Sequence, residues 1–366
     1  MRAFILGFIL ISFGTISAAQ ICGQTYRIEP GDTLGSVATA AYGDRSHYQT
    51  IFQANFTTLG ENPDLVRVGT MIDLPCLDMP VEKVETVAFA NMSNREHERW
   101  SVLVNPEKLG DLAAYGAVQI LDIRSDKARA KGALPGTINI PYGAWRGPRD
   151  NPGQPPTDAE LSQTIGAAGL RLNEPIVILH GSAAAFDTGR AAYVYWVLKS
   201  VGATRLALLP GGFSALDGTQ INLRPSQRYT ADLTMSDQWY ASQSDVQGLV
   251  TGSQPGQLLD ARPSKMFSAT AGQATTLPGA LNGPIDQTHG ASGNTPEAWA
   301  ILSMMKGQPV NWQSQPVVSF CNTGELGALS WFYASEVSGI DNVKLYPQSI
   351  KGWKASGAAL VAPDQG

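Results

Sequence analysis

The sequence contains little charge, cysteine or histidine. Of its 366 residues only 16% are charged while 43% are hydrophobic, and there are three cysteines and four histidines. A charged share of about 25% is usual for soluble domains, so this composition argues against disorder and against a coiled coil. The 26 basic residues form no long run and are outnumbered by 31 acidic ones. This excludes the electrostatic footprint of a nucleic-acid partner or an anionic lipid surface.

Long apolar runs are also missing, except at the N-terminus. Arg2 precedes an apolar run over residues 3–13, and small residues at 17–19 form a cleavage site. The pattern predicts a secretory signal peptide over residues 1–19. The run is shorter than the ~20 residues of a spanning helix, so an uncleaved anchor is the weaker alternative. We therefore expect an exported, periplasmic protein of the bacterial cell envelope, with no membrane span after cleavage.

Export into an oxidising compartment changes what the three cysteines mean. Cys22 and Cys76 bracket one compact segment and form the natural disulfide pair, which leaves Cys321 as a free thiol. Closing that loop stabilises the segment by about 4 kcal/mol on the chain-entropy estimate. Cys321 is then either an inert buried residue or a nucleophile, depending on its surroundings.

Two turns lie between Cys22 and Cys76. The first is the run Gly31-Asp32-Thr33-Leu34, and the second leads from Asn62 to Gly69, within a predicted β-α-α-β unit. Together they resemble the turns of a LysM domain. The resemblance covers residues 24–76, assigns residues 20–78 to a LysM-like module and implies binding to the N-acetylglucosamine backbone of peptidoglycan. A mere spacer is the alternative. The residues implied in binding are Gly31, Asp32, Thr33, Val66, Arg67, Val68 and Gly69.

The rest of the sequence is a duplication. Residues 121–124 (Leu-Asp-Ile-Arg) match 259–262 (Leu-Asp-Ala-Arg), and the Leu-Pro-Gly run at 134–136 matches 277–279. Offsets between matching segments stay between 137 and 143 residues, which indicates two copies of a domain of ~120 residues. The predicted segments are a linker at 79–98, the copies at 99–218 and 239–358, a second linker at 219–238 between them, and a tail at 359–366.

Short apolar strands alternate with helical stretches in each copy. In the first copy, strands are predicted at residues 176–179 and 206–209, with a helix over 191–198 between them. Near-continuous apolar strands between helices indicate an α/β fold with a parallel sheet covered on both faces. Ligands bind beyond the carboxyl ends of such strands, where Cys321 and His180 are both predicted to lie.

The loop that begins at Cys321 has the sequence features of a reactive site. A buried strand is predicted at 316–320 before it and a helix at 327–337 after it. Such a loop directs backbone N–H groups inward and forms an anion-binding nest. We therefore expect the pKa of Cys321 to fall from ~8.5 to about 6.5, which favours a nucleophile. A Cys-based phosphatase needs an Arg six positions on, where this chain has Gly327, so phosphatase chemistry is disfavoured.

Both copies resemble the rhodanese family of sulfurtransferases. The shared features are the Asp-x-Arg strand ends, the Leu-Pro-Gly turns and the strand, loop and helix around Cys321. The resemblance implies two rhodanese-like domains and transfer of sulfur, without a cofactor, from a small-molecule or protein-bound sulfane donor through a Cys321 persulfide to a thiophilic acceptor. The loop residues implied to hold the persulfide are Asn322, Thr323, Gly324, Glu325, Leu326 and Gly327.

The charge of this loop departs from the thiosulfate-preferring members of the family, which have cations in or beside it. Glu325 has the opposite sign, and Met266 stands where the family has an anion-binding Arg. A unit charge ~5 Å from a donor anion costs about 3 kcal/mol at an effective dielectric of 20. We therefore expect a neutral persulfide or protein-bound sulfur as donor, unless Glu325 points to solvent, which is equally consistent with the sequence. The possible anion-binding cations are Arg262, Lys265 and Lys351.

The first copy lacks the nucleophile. His180 aligns with Cys321, in a loop about four residues longer before its helix. Histidine cannot hold a persulfide, so we expect an inactive copy that walls the cleft, as the resemblance implies. A His180–Asp187 acid-base pair is less favoured than a capping Asp and a hydrogen-bonded His. The Asp-x-Arg motifs occur in both copies, which favours an architectural role, and no histidine spacing predicts a metal site.

These inferences combine into an exported sulfurtransferase that is tethered to the cell wall. Two alternatives remain open from the sequence. One is a non-enzymatic wall-associated scaffold that uses a degenerate rhodanese pair to bind a partner, and the other is a persulfide carrier that accepts sulfur from a dedicated protein.

Overall fold

The computed structural model describes residues 24–29, 32–59, 66–75, 100–114, 118–216, 221, 223, 226–268, 273–286, 296, 298–312 and 315–363. The chain forms two compact units, Met1–Val87 and Ala88–Gly366. Outside the described residues lie the predicted signal peptide, the linker at 79–98, Gly31, and Cys22 and Cys76 with their predicted disulfide. No helix within the described ranges is both long enough and apolar enough to cross a membrane.

The first unit contains two short antiparallel strands with helices between them. The strands are β1 (Gln24–Arg27) and β2 (Met71–Leu74), and Tyr26 pairs with Ile72. This is the predicted β-α-α-β order with a third short helix and a 3-10 turn in addition. The helices are α1 (Leu34–Tyr42), α2 (Tyr48–Ala54) and α3 (Phe56–Leu59), with a 3-10 turn at Arg45–His47.

Local sequence signals explain the limits of α1. The Thr33 hydroxyl accepts from the backbone N of Ser36 at 3.0 Å, and the Ser36 hydroxyl accepts from the backbone N of Thr33 at 2.9 Å. This capping box satisfies two donors at the start of the helix. At the other end Gly43 has a φ of 77°, which a glycine adopts without strain. The buried side chains of Leu34 and Val37 then hold one face of α1 against the unit's core.

The second unit contains two parallel four-stranded sheets with the same strand order. The first sheet consists of β3 (Gln119–Asp122), β4 (Ile138–Asn139), β5 (Ile176–Leu179) and β6 (Leu206–Leu208), in the order β4-β3-β5-β6. The second consists of β7 (Gln257–Asp260), β8 (Ala280–Asn282), β9 (Val317–Phe320) and β10 (Val343–Leu345), in the order β8-β7-β9-β10. The prediction of two parallel sheets covered by helices is confirmed.

Helices follow the strands in both copies. In the first copy they are α4 (Pro106–Ala114), α5 (Asp126–Arg129), α6 (Asp158–Ala168) and α7 (Ala185–Ser200), with 3-10 turns at Tyr142–Trp145 and Gly212–Leu216. In the second they are α8 (Gln243–Thr251), α9 (Ser264–Ser268), α10 (Ala298–Lys306), α11 (Glu325–Phe332) and α12 (Ser349–Ala355). Helix α11 begins two residues before its predicted start at 327 and continues as a π turn over Tyr333–Val337.

Strand β5 shows why the strands are apolar on both faces. Ile176 and Ile178 belong to a core that also contains Trp331 of the second copy. Val177 and Leu179 belong to a separate cluster on the other face of the sheet. All four strand residues are fully buried, and each such side chain contributes about 1.5–3 kcal/mol of transfer free energy.

Helices α7 and α11 pack against each other and join the two copies. The rings of Tyr195 and Phe332 have centroids 4.9 Å apart, and the Tyr195 hydroxyl donates to Glu336 at 2.8 Å. A Cβ at Gly189 would lie 2.7 Å from the carbonyl oxygen of Glu325, so this crossing requires glycine. The loops that precede the two helices are therefore brought together at the boundary between the copies.

Two segments predicted as connections are packed against the domains. In the second linker, the backbone N of Tyr229 donates to the carbonyl of Gly166 on α6 at 3.0 Å. In the predicted tail, Val361 and Thr276 exchange backbone hydrogen bonds of 2.9 and 3.2 Å. Both segments thus add backbone hydrogen bonds to the copy they adjoin.

Candidate active site

Cys321 lies directly after β9, at the carboxyl edge of the second sheet. Its side chain is 2% exposed. His180 occupies the corresponding place after β5 in the first sheet. The predicted nucleophile is therefore at the edge where parallel sheets bind their ligands.

The loop from Cys321 to α11 wraps around the sulfur. The backbone N of Gly324 donates to Sγ at 3.1 Å, and the N–H groups of Thr323 and Gly327 also favour the thiolate. Gly324 has a φ of 104°, and a Cβ there would lie 2.7 Å from the carbonyl oxygen of Pro347. Only glycine fits this position without strain. The loop is thus a backbone cradle of the kind that binds anions.

The start of α12 supports this loop. The Ser349 hydroxyl accepts from the backbone N of Cys321 at 3.0 Å. The backbone N of Ile350 donates to the Cys321 carbonyl at 3.1 Å, and that of Lys351 to the Asn322 carbonyl at 3.0 Å. Ser349 is fully buried with a φ of 53°, a conformation that costs a non-glycine residue about 1–3 kcal/mol. The three hydrogen bonds that residues 349–351 make with the nucleophile loop offset this cost.

The resting thiol does not have the lowered pKa that the sequence predicts. Burial raises the pKa of Cys321, and the Glu325 carboxylate raises it further, against the smaller opposite effect of the loop N–H groups. The prediction of a lowered pKa is therefore wrong. The nest is present as expected, but the loop closes over the sulfur and removes the thiolate from water, and this desolvation outweighs the N–H groups.

Glu325 neither points to solvent nor stands alone beside the sulfur. Its side chain is 3% exposed and forms an ion pair with Arg146 of the first copy. The Thr323 hydroxyl donates to the same carboxylate at 2.7 Å, and Arg146 also donates to the Thr323 carbonyl. The solvent-facing alternative is wrong, and the repulsion expected for a donor anion is reduced because Arg146 neutralises the carboxylate.

Arg146 is not among the residues predicted from the sequence, because nothing local marks it. It stands 179 positions before Glu325. Its guanidinium carbon lies 5.2 Å from the ring centroid of Tyr142 and 5.6 Å from that of Tyr193, and its Nε donates to the Pro152 carbonyl at 2.7 Å. The one signal available was an acidic residue in an anion-binding loop, which requires a cation nearby.

Two of the three cations predicted to bind an anion are engaged elsewhere. Arg262 binds Asp260 and donates to Asn322 Oδ1 at 3.0 Å, so it holds the nucleophile loop. Lys351 donates through Nζ to a backbone carbonyl of the first copy at 2.6 Å. Lys265 is exposed on α9 and makes no hydrogen bond or ion pair with residues of the described ranges.

Leu326, predicted as part of the persulfide loop, is partly buried and packs against the core.

The Asp-x-Arg motifs have the same geometry in both copies. Arg124 binds Asp122 through Nε at 3.0 Å and Nη2 at 2.7 Å. Arg262 binds Asp260 through the same atoms at 2.9 and 2.7 Å. Because the copy without the nucleophile has the same buried pair, the geometry supports the predicted architectural role.

The loop after β5 is five residues long, against four after β9. β5 ends at Leu179 and α7 begins at Ala185, whereas β9 ends at Phe320 and α11 begins at Glu325. The predicted difference of about four residues is therefore wrong. The first turns of α7 contain one large apolar residue, Phe186, among small and polar ones, so they show no apolar period and the sequence places the start of the helix too late.

The contacts of Asp187 do not support an acid-base pair with His180. Its carboxylate accepts from the Ser182 hydroxyl at 2.7 Å and from Arg190 at 2.9 Å. In the described part of the chain, no three His, Cys, Asp or Glu side chains cluster so as to hold a metal ion.

The two predicted peptidoglycan-binding loops lie side by side in the first unit. The backbone N of Gly69 donates to the carbonyl of Ile28 at 2.8 Å, which joins the second loop to the end of β1. The side chains of Asp32 and Thr33 stabilise their own turn and the start of α1. Val68 is 61% exposed, and Arg67 beside it is also exposed. Thr33 of the first loop is exposed too, so both loops contribute exposed surface, and the large apolar part of it is Val68.

We expect the substitution Glu325→Gln to lower the pKa of the Cys321 thiol. The carboxylate raises that pKa in the wild type, whereas an amide carries no charge. The rate of alkylation measured against pH should have a wild-type midpoint above the ~8.5 of free cysteine and a lower midpoint in the variant.

Glu336→Gln is the matched control for this titration. It also removes a mostly buried carboxylate, but one that pairs with Lys199 and Tyr195. Its alkylation midpoint should equal that of the wild type. An unmoved midpoint in Glu325→Gln, or equal shifts in both variants, would contradict the assigned role of Glu325.

Comparisons with known proteins agree with this architecture. A family model, the Rhodanese-like domain, matches residues 105–218 and 242–356. A Mycobacterium tuberculosis protein named thiosulfate sulfurtransferase is 25% identical over 217 residues, which cover 56% of this chain and 76% of that protein. One of the same name from Synechococcus elongatus is 24% identical over 264 residues, 68% of this chain and 81% of the relative.

Two solved structures share the fold. SseA of Escherichia coli, described as a 3-mercaptopyruvate sulfotransferase, superposes with a TM-score of 0.58 at 18% identity, over 68% of this chain and 98% of its own. A structure of EanB with a cysteine persulfide and ergothioneine gives a TM-score of 0.59 at 15% identity, over 71% of this chain and 70% of its own. At these identities the likeness concerns the fold alone.

Proposed function

Because the chain belongs to the rhodanese-like domain family and is a sulfurtransferase, we propose that it passes a sulfane sulfur through a persulfide on Cys321. The observation that carries this proposal is the backbone cradle, in which the N–H of Gly324 donates to the buried Sγ at 3.1 Å. Such donors stabilise negative charge on sulfur in a site from which water is excluded. EanB, which shares the fold, has been captured with a cysteine persulfide.

The reaction needs no external oxidant. The Cys321 thiol ionises, and its sulfur attacks the outer sulfur of a donor persulfide, R–S–SH. The donor's S–S bond breaks, the thiolate R–S⁻ leaves with the bonding electrons and takes up a proton, and a new S–S bond forms on Cys321. A thiolate acceptor then attacks the outer sulfur in the same way and regenerates the Cys321 thiolate.

We propose an organic or protein-bound persulfide as the donor. Thiosulfate brings two negative charges, and the neighbouring guanidinium groups of Arg146 and Arg262 are paired with Glu325 and Asp260. Lys351 is bound to a carbonyl. An organic persulfide places less negative charge beside the Glu325 carboxylate, so the carboxylate repels it less than it repels thiosulfate. The test is intact-mass measurement of the protein after exposure to a small alkyl persulfide or to thiosulfate. We expect the gain of one sulfur atom with the persulfide, and faster loading by thiosulfate than by the persulfide would contradict the proposed donor class.

We also propose that the protein is exported to the periplasm and tethered to peptidoglycan by the LysM-like module. The N-terminal sequence pattern supports export. The contact between Gly69 and Ile28, which joins residues 66–69 to the end of β1, and the exposed Val68 support a binding surface for a sugar chain. In this arrangement the Cys22–Cys76 disulfide closes the module.

We expect Val68→Asp in the full chain to weaken sedimentation with purified peptidoglycan by at least about fivefold, because a charge replaces an apolar contact with the sugar faces. Ala40→Asp is the control, since it adds the same charge on an exposed position of α1 outside both loops. If the wild type stays in solution, or if both variants bind alike, the module does not bind through this loop.

A further inference from the structure

The first copy contributes a second side chain to the site, that of Tyr142. It belongs to the 3-10 turn Tyr142–Trp145, and its backbone N donates to the Ile123 carbonyl at 2.9 Å. Its ring meets that of Tyr193 edge-on, with centroids 6.1 Å apart. The guanidinium carbons of Arg146 and Arg190 lie 5.2 and 5.7 Å from its ring centroid. These contacts fix the direction of the side chain.

The Tyr142 hydroxyl is buried and has no hydrogen-bond partner within the described ranges. A buried hydroxyl without a partner destabilises a folded protein. Its presence here points to a bound ligand or intermediate that accepts a hydrogen bond from it. Burial raises the pKa of Tyr142 well above its usual value, and the charge of Glu325 raises it further against the opposite effect of Arg146, so the hydroxyl keeps its proton. The position of Tyr142 beside the nucleophile loop follows from Arg146, whose guanidinium carbon lies 5.2 Å from the Tyr142 ring centroid and which donates to Glu325 and to the Thr323 carbonyl.

We propose that the Tyr142 hydroxyl donates a hydrogen bond to the outer sulfur of the Cys321 persulfide. This inference rests on the proposed sulfur transfer. In the resting protein Sγ accepts from Gly324 and makes no bond with Tyr142. A sulfur–sulfur bond is ~2.05 Å long, so the transferred sulfur stands about 2 Å beyond Sγ and reaches donors that Sγ does not contact.

The hydrogen bond stabilises the negative charge that spreads over the reacting sulfurs while the Cys321 thiolate attacks the outer sulfur, and it persists in the ionised persulfide. Tyr142 keeps its own proton throughout, so no bond of the tyrosine is formed or broken. Gly324 and its neighbours in the second copy donate hydrogen bonds to Sγ, whereas Tyr142 of the first copy donates to the outer sulfur. The copy without a nucleophile therefore supplies a catalytic residue in addition to lining the cleft.

The test is Tyr142→Phe in the full chain, which removes only the oxygen and leaves the ring contacts. We expect loading from a small alkyl persulfide, followed by intact mass, to be about ten- to a hundredfold slower, the usual effect of one hydrogen bond to a charged group. Alkylation of the resting thiol should keep its wild-type rate and pH profile, because Sγ has no bond to this hydroxyl. The melting temperature should not fall, since an unsatisfied group is removed.

Tyr229→Phe is the control. Its hydroxyl donates to the Leu170 carbonyl within the first copy, and its loading rate should match that of the wild type. A wild-type loading rate in Tyr142→Phe would overturn the inference. A fall in the alkylation rate as large as the fall in the loading rate would also overturn it, because it would show that the substitution disrupts the whole site around Cys321. If the wild type itself gains no sulfur from any donor, the proposed sulfur transfer fails and not the role of Tyr142 alone.

Discussion

Cys321→Ser should gain no sulfur from any donor that loads the wild type. The hydroxyl of serine is far less acidic than a thiol and forms no persulfide, so we expect the loading rate to fall by at least about a thousandfold. The buried cradle itself should persist, because the backbone N–H groups that surround Sγ come from residues 323–327. Intact-mass measurement after exposure to an alkyl persulfide reports the added sulfur directly.

The matched control is His180→Gln, at the corresponding place after β5. It alters a buried residue of the first copy that has no part in the proposed reaction. This variant should load like the wild type. Equal loading of Cys321→Ser and the wild type would remove the nucleophile assignment and leave the scaffold interpretation. Failure of every donor with the wild type would do the same.

Arg146→Met should destabilise the protein strongly, because it leaves the Glu325 carboxylate buried without its cation. The two side chains are 11% and 3% exposed, so water cannot replace the guanidinium. Removing one partner of a buried ion pair costs about 3–5 kcal/mol. We expect the lower end of that range, since Thr323 still donates to the carboxylate. Denaturant unfolding of the full chain, with the free energy taken from the transition of the second unit, measures the loss.

Two further variants separate this effect from simple loss of an arginine. Arg190→Met breaks a pair with Asp187 whose side chains are 42% and 27% exposed, and it should cost less than about 1 kcal/mol. Adding Glu325→Gln to Arg146→Met should restore more than half of the stability, because the neutral amide has a smaller desolvation penalty. A loss below about 1 kcal/mol in Arg146→Met, or no recovery in the double variant, would show that the pair does not hold the loop.

The ion pair also changes how the two copies relate functionally. Arg146 fixes Glu325 and the Thr323 carbonyl, both in the nucleophile loop, from the other copy. The loop geometry around Cys321 therefore depends on the packing of α7 against α11. The copy that lacks its own nucleophile thus contributes a side chain that contacts the nucleophile loop of the other copy.

The sequence alone determined the parts of this protein that consecutive residues specify. The run at residues 317–320 is apolar except for Ser319, so it forms a buried parallel strand, and the residues after it form a loop and then a helix. The duplication predicts two sheets with the same strand order, as the structure shows. The position of Cys321 at the strand end follows from that pattern. LysM binding, export and the disulfide remain predictions, which the described residues do not test.

Only the tertiary structure decided the electrostatics of the site. Glu325 is buried and paired because the packing of the two copies places Arg146 beside it, across 179 positions of sequence. The pKa of Cys321 is raised because the loop closes over the sulfur, and the sequence shows the N–H groups but not the loss of water around them. Local hydrogen-bond patterns are encoded in neighbouring residues, whereas desolvation and ion pairing depend on which distant side chains share one buried volume.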